Sequence, residues 1–96
     1  MSQLKRYIIE RDIPGIGGMS VVELCGAARA SNCAIEQVGQ GLQWQHSYIT
    51  SDNLWCVYKA ENEEFLREHA KRGKFPCDNI REVVGMLSPA TAEVLV

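Results

Sequence analysis

Hydrophobic positions recur along this chain at two periods, two and 3.6, and the switches between them divide it into six elements. Lys5 to Asp12 contains Tyr7, Ile8 and Ile9, strong strand formers, and predicts a first strand. It ends at Ile13-Pro14-Gly15-Ile16-Gly17-Gly18, where a proline and three glycines predict a loop. Ser20 then stands three residues before Glu23, the spacing of a capping box that satisfies free backbone donors at a helix start. Val21, Leu24, Cys25, Ala28, Ile35 and Val38 follow at helical spacing, and Gly39 is placed to stop the helix. Leu42 to Thr50 alternates through Gln43, Trp44, Gln45, His46, Ser47 and Tyr48 and predicts a second strand. Ser51-Asp52-Asn53 supplies turn chemistry, and Leu54 to Ala60 predicts the returning strand. A second helix is expected from about Asn62 to Arg72, capped by Asn62 and ended by Gly73. Its Glu63 and Glu64 suit the positive end of the dipole, and Lys71 and Arg72 the negative end. Asn79 to Leu87 predicts the last strand, stopped by Ser88-Pro89, with a short tail beyond.

The resulting order, βαββαβ, is the ferredoxin-like arrangement of a single α+β domain spanning the 96 residues, its core at about 5–89. Each predicted helix carries one apolar stripe, so both helices are expected on one face of an antiparallel sheet. The other face lacks a cover. Trp44, Tyr48, Trp55 and Tyr58 occupy the two hairpin strands, so some of these aromatics must lie on that open face. A large apolar patch in water marks an interface, and the expected partner is a second copy, giving a dimeric α/β barrel with an internal pocket.

Composition narrows the function classes. Ten Lys and Arg against twelve Asp and Glu give a formal charge of −2, which argues against a nucleic-acid binder and an anionic membrane surface. No apolar run approaches the roughly eighteen residues of a membrane span, and none of signal-peptide length follows the first residues, so a cytoplasmic location is expected. There Cys25, Cys33, Cys56 and Cys77 should remain thiols, and no two are spaced as C-x-x-C.

Candidate chemistry centres on the two histidines. On an alternating strand His46 shares a face with Trp44, Tyr48 and Thr50. A hairpin loop of two or four residues adds Trp55, Val57 and Lys59 to that face; an odd loop adds Leu54, Cys56 and Tyr58 instead. The odd register would place an imidazole beside a thiol, a ligand pair for a soft divalent metal. His69 follows Phe65 by four residues and Leu66 by three, on or beside the buried stripe of the second helix. Glu68 precedes it, and Glu10 and Asp12 lie at the end of a strand in the same small fold. For both histidines the bland alternative is a structural imidazole satisfied by a neighbour. Cys56 sits inside a strand, where free cysteine is usually a small hydrophobe, Cys25 falls in a helix stripe, and Cys77 is expected to be the most exposed thiol. Gly15-x-Gly17-Gly18 lacks the third glycine of a dinucleotide loop and any Walker lysine, and reads as a loop over a pocket mouth.

Several phrases resemble one family. Tyr7-Ile8-Ile9-Glu10-Arg11-Asp12-Ile13-Pro14-Gly15, Trp44-Gln45-His46-Ser47-Tyr48-Ile49-Thr50, Asp52 and Cys56-Val57-Tyr58 are similar to a family of small bacterial proteins classed as a domain of unknown function. Glu68-His69-Ala70-Lys71-Arg72-Gly73, Phe75-Pro76 and Ile80-Arg81-Glu82-Val83 continue the match in consistent order. The resemblance implies a ferredoxin-like dimer and, from a nickel-binding member, nickel held by some of His46, His69, Cys56, Glu10 and Asp12. Zinc or copper would suit the same donors, and histidine ligation requires neutral imidazole, so affinity should fall below about pH 6. The leading expectation is therefore a nickel-binding homodimer without catalysis of its own. The alternative is a small dimeric-barrel enzyme, a cofactor-free monooxygenase or isomerase acting on an apolar ligand, with His46 or His69 as base and Tyr48 or Tyr58 positioning substrate.

Overall fold

A computed structural model describes residues 4–94. Strands β1 (Lys5–Asp12), β2 (Leu42–Ile49), β3 (Asn53–Ala60) and β4 (Asn79–Glu82) form one sheet in the order β2-β3-β1-β4, every neighbouring pair antiparallel. Helices α1 (Val21–Val38) and α2 (Glu63–Gly73) complete the expected α+β order. Both helices pack on one sheet face, where Tyr7, Ile9, Leu42, Cys56, Tyr58, Ala60 and Leu66 form the core and Ile35, Val38 and Phe65 pack against it. Each large apolar side chain so buried contributes about 1.5–3 kcal/mol.

The helix starts follow the sequence signals. Ser20 Oγ accepts from the Glu23 backbone N–H at 3.2 Å, while the Glu23 carboxylate accepts from the Ser20 N–H at 2.9 Å. These hydrogen bonds hold the Glu23 carboxyl below its usual range. Asn62 Oδ1 caps α2 by accepting from Phe65 N–H at 3.3 Å. At the other end the left-handed residue is Lys74 (φ 59°), one position beyond the expected Gly73.

Four expectations need correction. A bulge in β2 pairs Trp44 with Tyr58 but His46 with Val57, so Gln45 is an extra residue and the alternation reverses across it. Trp44 therefore points to the helix side with Tyr58, whereas His46 and Tyr48 lie on the open face with Val57 and Trp55. Past the bulge the hairpin has even register, closed by Thr50 N–H donating to Asn53 O at 2.9 Å.

β4 ends at Glu82 rather than Leu87. Its partner β1 begins at Lys5, and Tyr7 already opposes Glu82, so residues beyond 84 meet no strand. Val84 is 94 % exposed, and Met86 and Leu87 are also exposed. Cys25 is exposed rather than in a buried stripe, because the N-terminal half of α1 stands away from the sheet: Val21 is 82 % exposed, and only Ser31 and Ala34 of the helix are buried. Cys77 is half-buried, less open than Cys25 and Cys33. No helix among the described residues is long and apolar enough to cross a membrane.

Candidate functional site

The helix-side face of the sheet carries a buried polar cluster. Alternation along β1 sends Tyr7, Ile9 and Arg11 to that face, and Arg11 is 1 % exposed. One terminal nitrogen of its guanidinium donates to the Pro76 carbonyl and the other to Tyr58 Oη at 3.4 Å. The guanidinium carbon lies 5.4 Å from the centre of the Phe75 ring and 6.0 Å from that of Tyr58, within cation–π range. Burial pushes the Arg11 pKa down, but the facing Tyr58 hydroxyl and Cys56 thiol more than offset this and leave it above the ordinary value. Burial also raises the Tyr58 pKa despite the nearby Arg11 charge, so the phenol is neutral at physiological pH.

His69, on α2, is fully buried beside this cluster. Its Nε2 lies 3.1 Å from Ser31 Oγ, and its ring lies 5.4 Å from Tyr58 and 5.6 Å from Phe75 between centroids. Nδ1 is buried without a hydrogen-bond partner. Burial first, and then the Arg11 charge, lower its pKa to about 4, so the imidazole is neutral near pH 7.

Between the N-terminal half of α1 and strands β2 and β3 lies a cavity of about 190 Å³. Leu24, Ala28, Trp44, Ile49 and Leu54 give it apolar walls, and Arg11, Ser31, Ser47, Cys56 and Tyr58 bring polar atoms to it. Ile16, from the 3-10 turn Ile16–Gly18, is buried at its edge. That turn is pinned to the hairpin: Gly17 N–H donates to Ser51 O at 3.0 Å, and the Asp52 carboxylate accepts from Gly15 N–H at 2.9 Å.

The open face has different chemistry. His46 is exposed there, edge-on to Tyr48 with ring centroids 5.1 Å apart. Glu10 lies on the same face, its carboxylate accepting from Asn79 Nδ2 at 3.0 Å and Asn53 Nδ2 at 3.2 Å. Asp12 follows on that face at the exposed end of β1, where its N–H donates to Asp78 Oδ2 at 2.6 Å.

A family model described as nickel responsive protein SCO4226-like matches residues 7–83. The chain belongs to the SCO4226-like family. Its fold is similar to the crystal structure of SCO4226 from Streptomyces coelicolor A3(2), with a TM-score of 0.71 at 14 % identity, over 85 % of this chain and 99 % of that one. No curated protein matches the chain.

Against the nickel connection of the SCO4226-like family, the five candidate ligands divide between the two faces. His46, Glu10 and Asp12 are on the open face, His69 and Cys56 on the helix side, and the even register keeps His46 and Cys56 apart. Among the described residues no three His, Cys, Asp or Glu side chains converge as a metal site. The His69–Cys56 side is also a poor cation site, since the buried Arg11 charge stands within it. Arg11 itself was absent from the sequence-based candidates; the signal was its period-two relation to Tyr7 and Ile9.

Proposed function

We propose that this chain is a nickel-binding homodimer in which two open sheet faces meet and His46 supplies a metal ligand from each copy. The observation that carries this reading is the exposure of His46 on a face that no helix covers. Divalent nickel accepts imidazole nitrogen and carboxylate oxygen, and His46, Glu10 and Asp12 offer both on that side. One chain does not gather three such donors among its described residues, so a second copy would complete the set. Half-buried Ile8, Trp55 and Val57 and exposed Tyr48 give the same face apolar area to bury in a dimer. His69 and Cys56 are left out of the proposed site because a cation there would face the Arg11 guanidinium without solvent to screen it.

The test is nickel titration by calorimetry on tag-free protein, with light scattering to give the mass. His46→Ala should abolish binding and leave the circular dichroism spectrum unchanged, while His69→Gln should still bind nickel. Unaltered binding by His46→Ala would remove this residue from the site. A protein that stays monomeric at micromolar concentration while nickel binds saturably at one ion per chain would remove the second copy.

The enzymatic alternative places its pocket between two open faces. On the open face of one chain a pocket of about 160 Å³ lies among Ile8, Glu10, Trp55, Asn79 and Arg81. The apolar cavity of about 190 Å³ lies on the other side of the sheet, beneath α1. That cavity supports a separate reading.

A further inference from the structure

A buried guanidinium is costly unless its charge is balanced. Arg11 has no such balance: the ion pairs among the described residues are Glu63–Arg67 and Glu68–Arg72, both on the exposed side of α2. No Asp or Glu lines the cavity that Arg11 borders. The groups that face it are the Cys56 thiol, the Tyr58 phenol and the His69 imidazole; the last two are neutral near pH 7, and none of the three is a carboxylate that could pair the guanidinium as a fork. Its bonds to the Pro76 carbonyl and Tyr58 Oη use two of the five N–H donors a guanidinium possesses.

We propose that the cavity beneath α1 is a binding site for a small monocarboxylate with a compact apolar body, the carboxylate received by Arg11. A single fixed positive charge matches a monoanion, and a planar guanidinium matches the two oxygens of a carboxylate. Further donors are at hand. Ser47 Oγ accepts from Trp44 Nε1 at 3.0 Å, which leaves its own hydroxyl proton free to donate. The remaining walls, Leu24, Ala28, Trp44, Ile49 and Leu54, fit hydrocarbon rather than a hydrophilic body. Size sets the class of ligand: an apolar protein cavity of about 150 Å³ holds benzene, so this cavity suits one ring or a short branched chain beside the carboxylate. Inorganic phosphate would leave those apolar walls against water, and its second charge would be unpaired. This site is on the opposite side of the sheet from the proposed nickel ligands, and the two readings stand or fall independently.

The experiment is a binding titration of the full chain near neutral pH, read by thermal midpoint and by tryptophan fluorescence, in which Trp44 of the cavity wall reports beside Trp55 of the other face. Its probes are benzoate, phenylacetate and 4-methylpentanoate, with phenylacetamide, acetate and inorganic phosphate as comparisons. At least one of the three carboxylates should raise the thermal midpoint saturably. Phenylacetamide and acetate should each bind about tenfold or more weaker than the best carboxylate, one lacking the charge and the other the apolar body. Ala28→Phe, which fills the cavity and keeps Arg11, should abolish the response. Four results would overturn the proposal: no saturable response to any of the three, phenylacetamide equal to phenylacetate, phosphate equal to the best carboxylate, or a folded Ala28→Phe protein that binds as the parent does. Because the amide and phosphate comparisons use the unaltered protein, the outcome does not depend on a variant folding.

Discussion

His69 Nε2 on α2 lies 3.1 Å from Ser31 Oγ on α1, and this buried contact ties the two helices together above the sheet. The imidazole is held neutral there, with a pKa of about 4 against 6.5 for an ordinary histidine. Protonation is thus easier in the unfolded chain than in the folded one. The stability that neutral His69 contributes is complete above about pH 6.5, declines as pH falls toward 4, and is lost below it, for a total of about 3 kcal/mol. Urea midpoints of the parent should fall through that window, whereas those of His69→Gln should lose this component of the slope. An identical decline in both proteins would place the titration elsewhere. Ser31→Ala removes the hydroxyl and should cost about 1–3 kcal/mol at neutral pH, the price of an unsatisfied buried imidazole nitrogen.

Arg11 and Tyr58 form a second coupled pair. Lysine at position 11 keeps the charge but cannot span the Pro76 carbonyl and the Tyr58 hydroxyl with one planar fork. Arg11→Lys should lose about 2–4 kcal/mol and Tyr58→Phe about 1–2 kcal/mol. Since both changes break the same contact, the double variant should lose about 1 kcal/mol less than the two combined. Chemical denaturation of the four proteins measures this, and strict additivity would show that the 3.4 Å contact carries no energy.

Much of this architecture was legible because local and global signals agree. The Ser20–Glu23 capping box, the Asn62 cap and the alternating strands each specify one element, and the six elements in that order admit few sheets. The site was less legible, for reasons that can be located. The alternation from Gln43 to Tyr48 is unbroken in sequence, so nothing local announces the bulge at Gln45 that sends Trp44 and His46 to opposite faces. Whether the free half of α1 buries its stripe depends on what fills the space beneath it, which is a tertiary property. Arginine is mostly exposed in proteins, and that prior hid a buried Arg11 whose β1 alternation already placed it beside Tyr7 and Ile9.

Gly17 is confined by backbone rather than by side chains. A Cβ there would stand 2.9 Å from both Ser51 Cα and Thr50 O. Neither atom can move without opening the hairpin turn, to which Gly17 N–H is also bonded at 3.0 Å. Gly17→Ala should therefore cost about 1–3 kcal/mol and shift Ile16 at the cavity edge. Gly18→Ala meets nothing within 4 Å and should change stability by less than about 1 kcal/mol. Equal thermal midpoints for the two variants would show that the turn yields freely.

The four thiols should react in a fixed order that reports the packing. Cys25 and Cys33 are exposed on α1, Cys77 is half-buried and Cys56 is buried in β3. Thiolate is the reacting species, and burial pushes the Cys77 thiol up, with only partial relief from the Arg11 and Arg67 charges. Disulfide-exchange labelling of the native protein should show two fast equivalents, a slower third, and a fourth that waits for unfolding in denaturant. Replacing Cys25 and Cys33 by serine should remove the fast phase alone. If Cys56 reacted as fast as Cys25 in the native protein, α1 would be opening far enough to expose the sheet beneath it, and the walls of the cavity would be transient rather than formed.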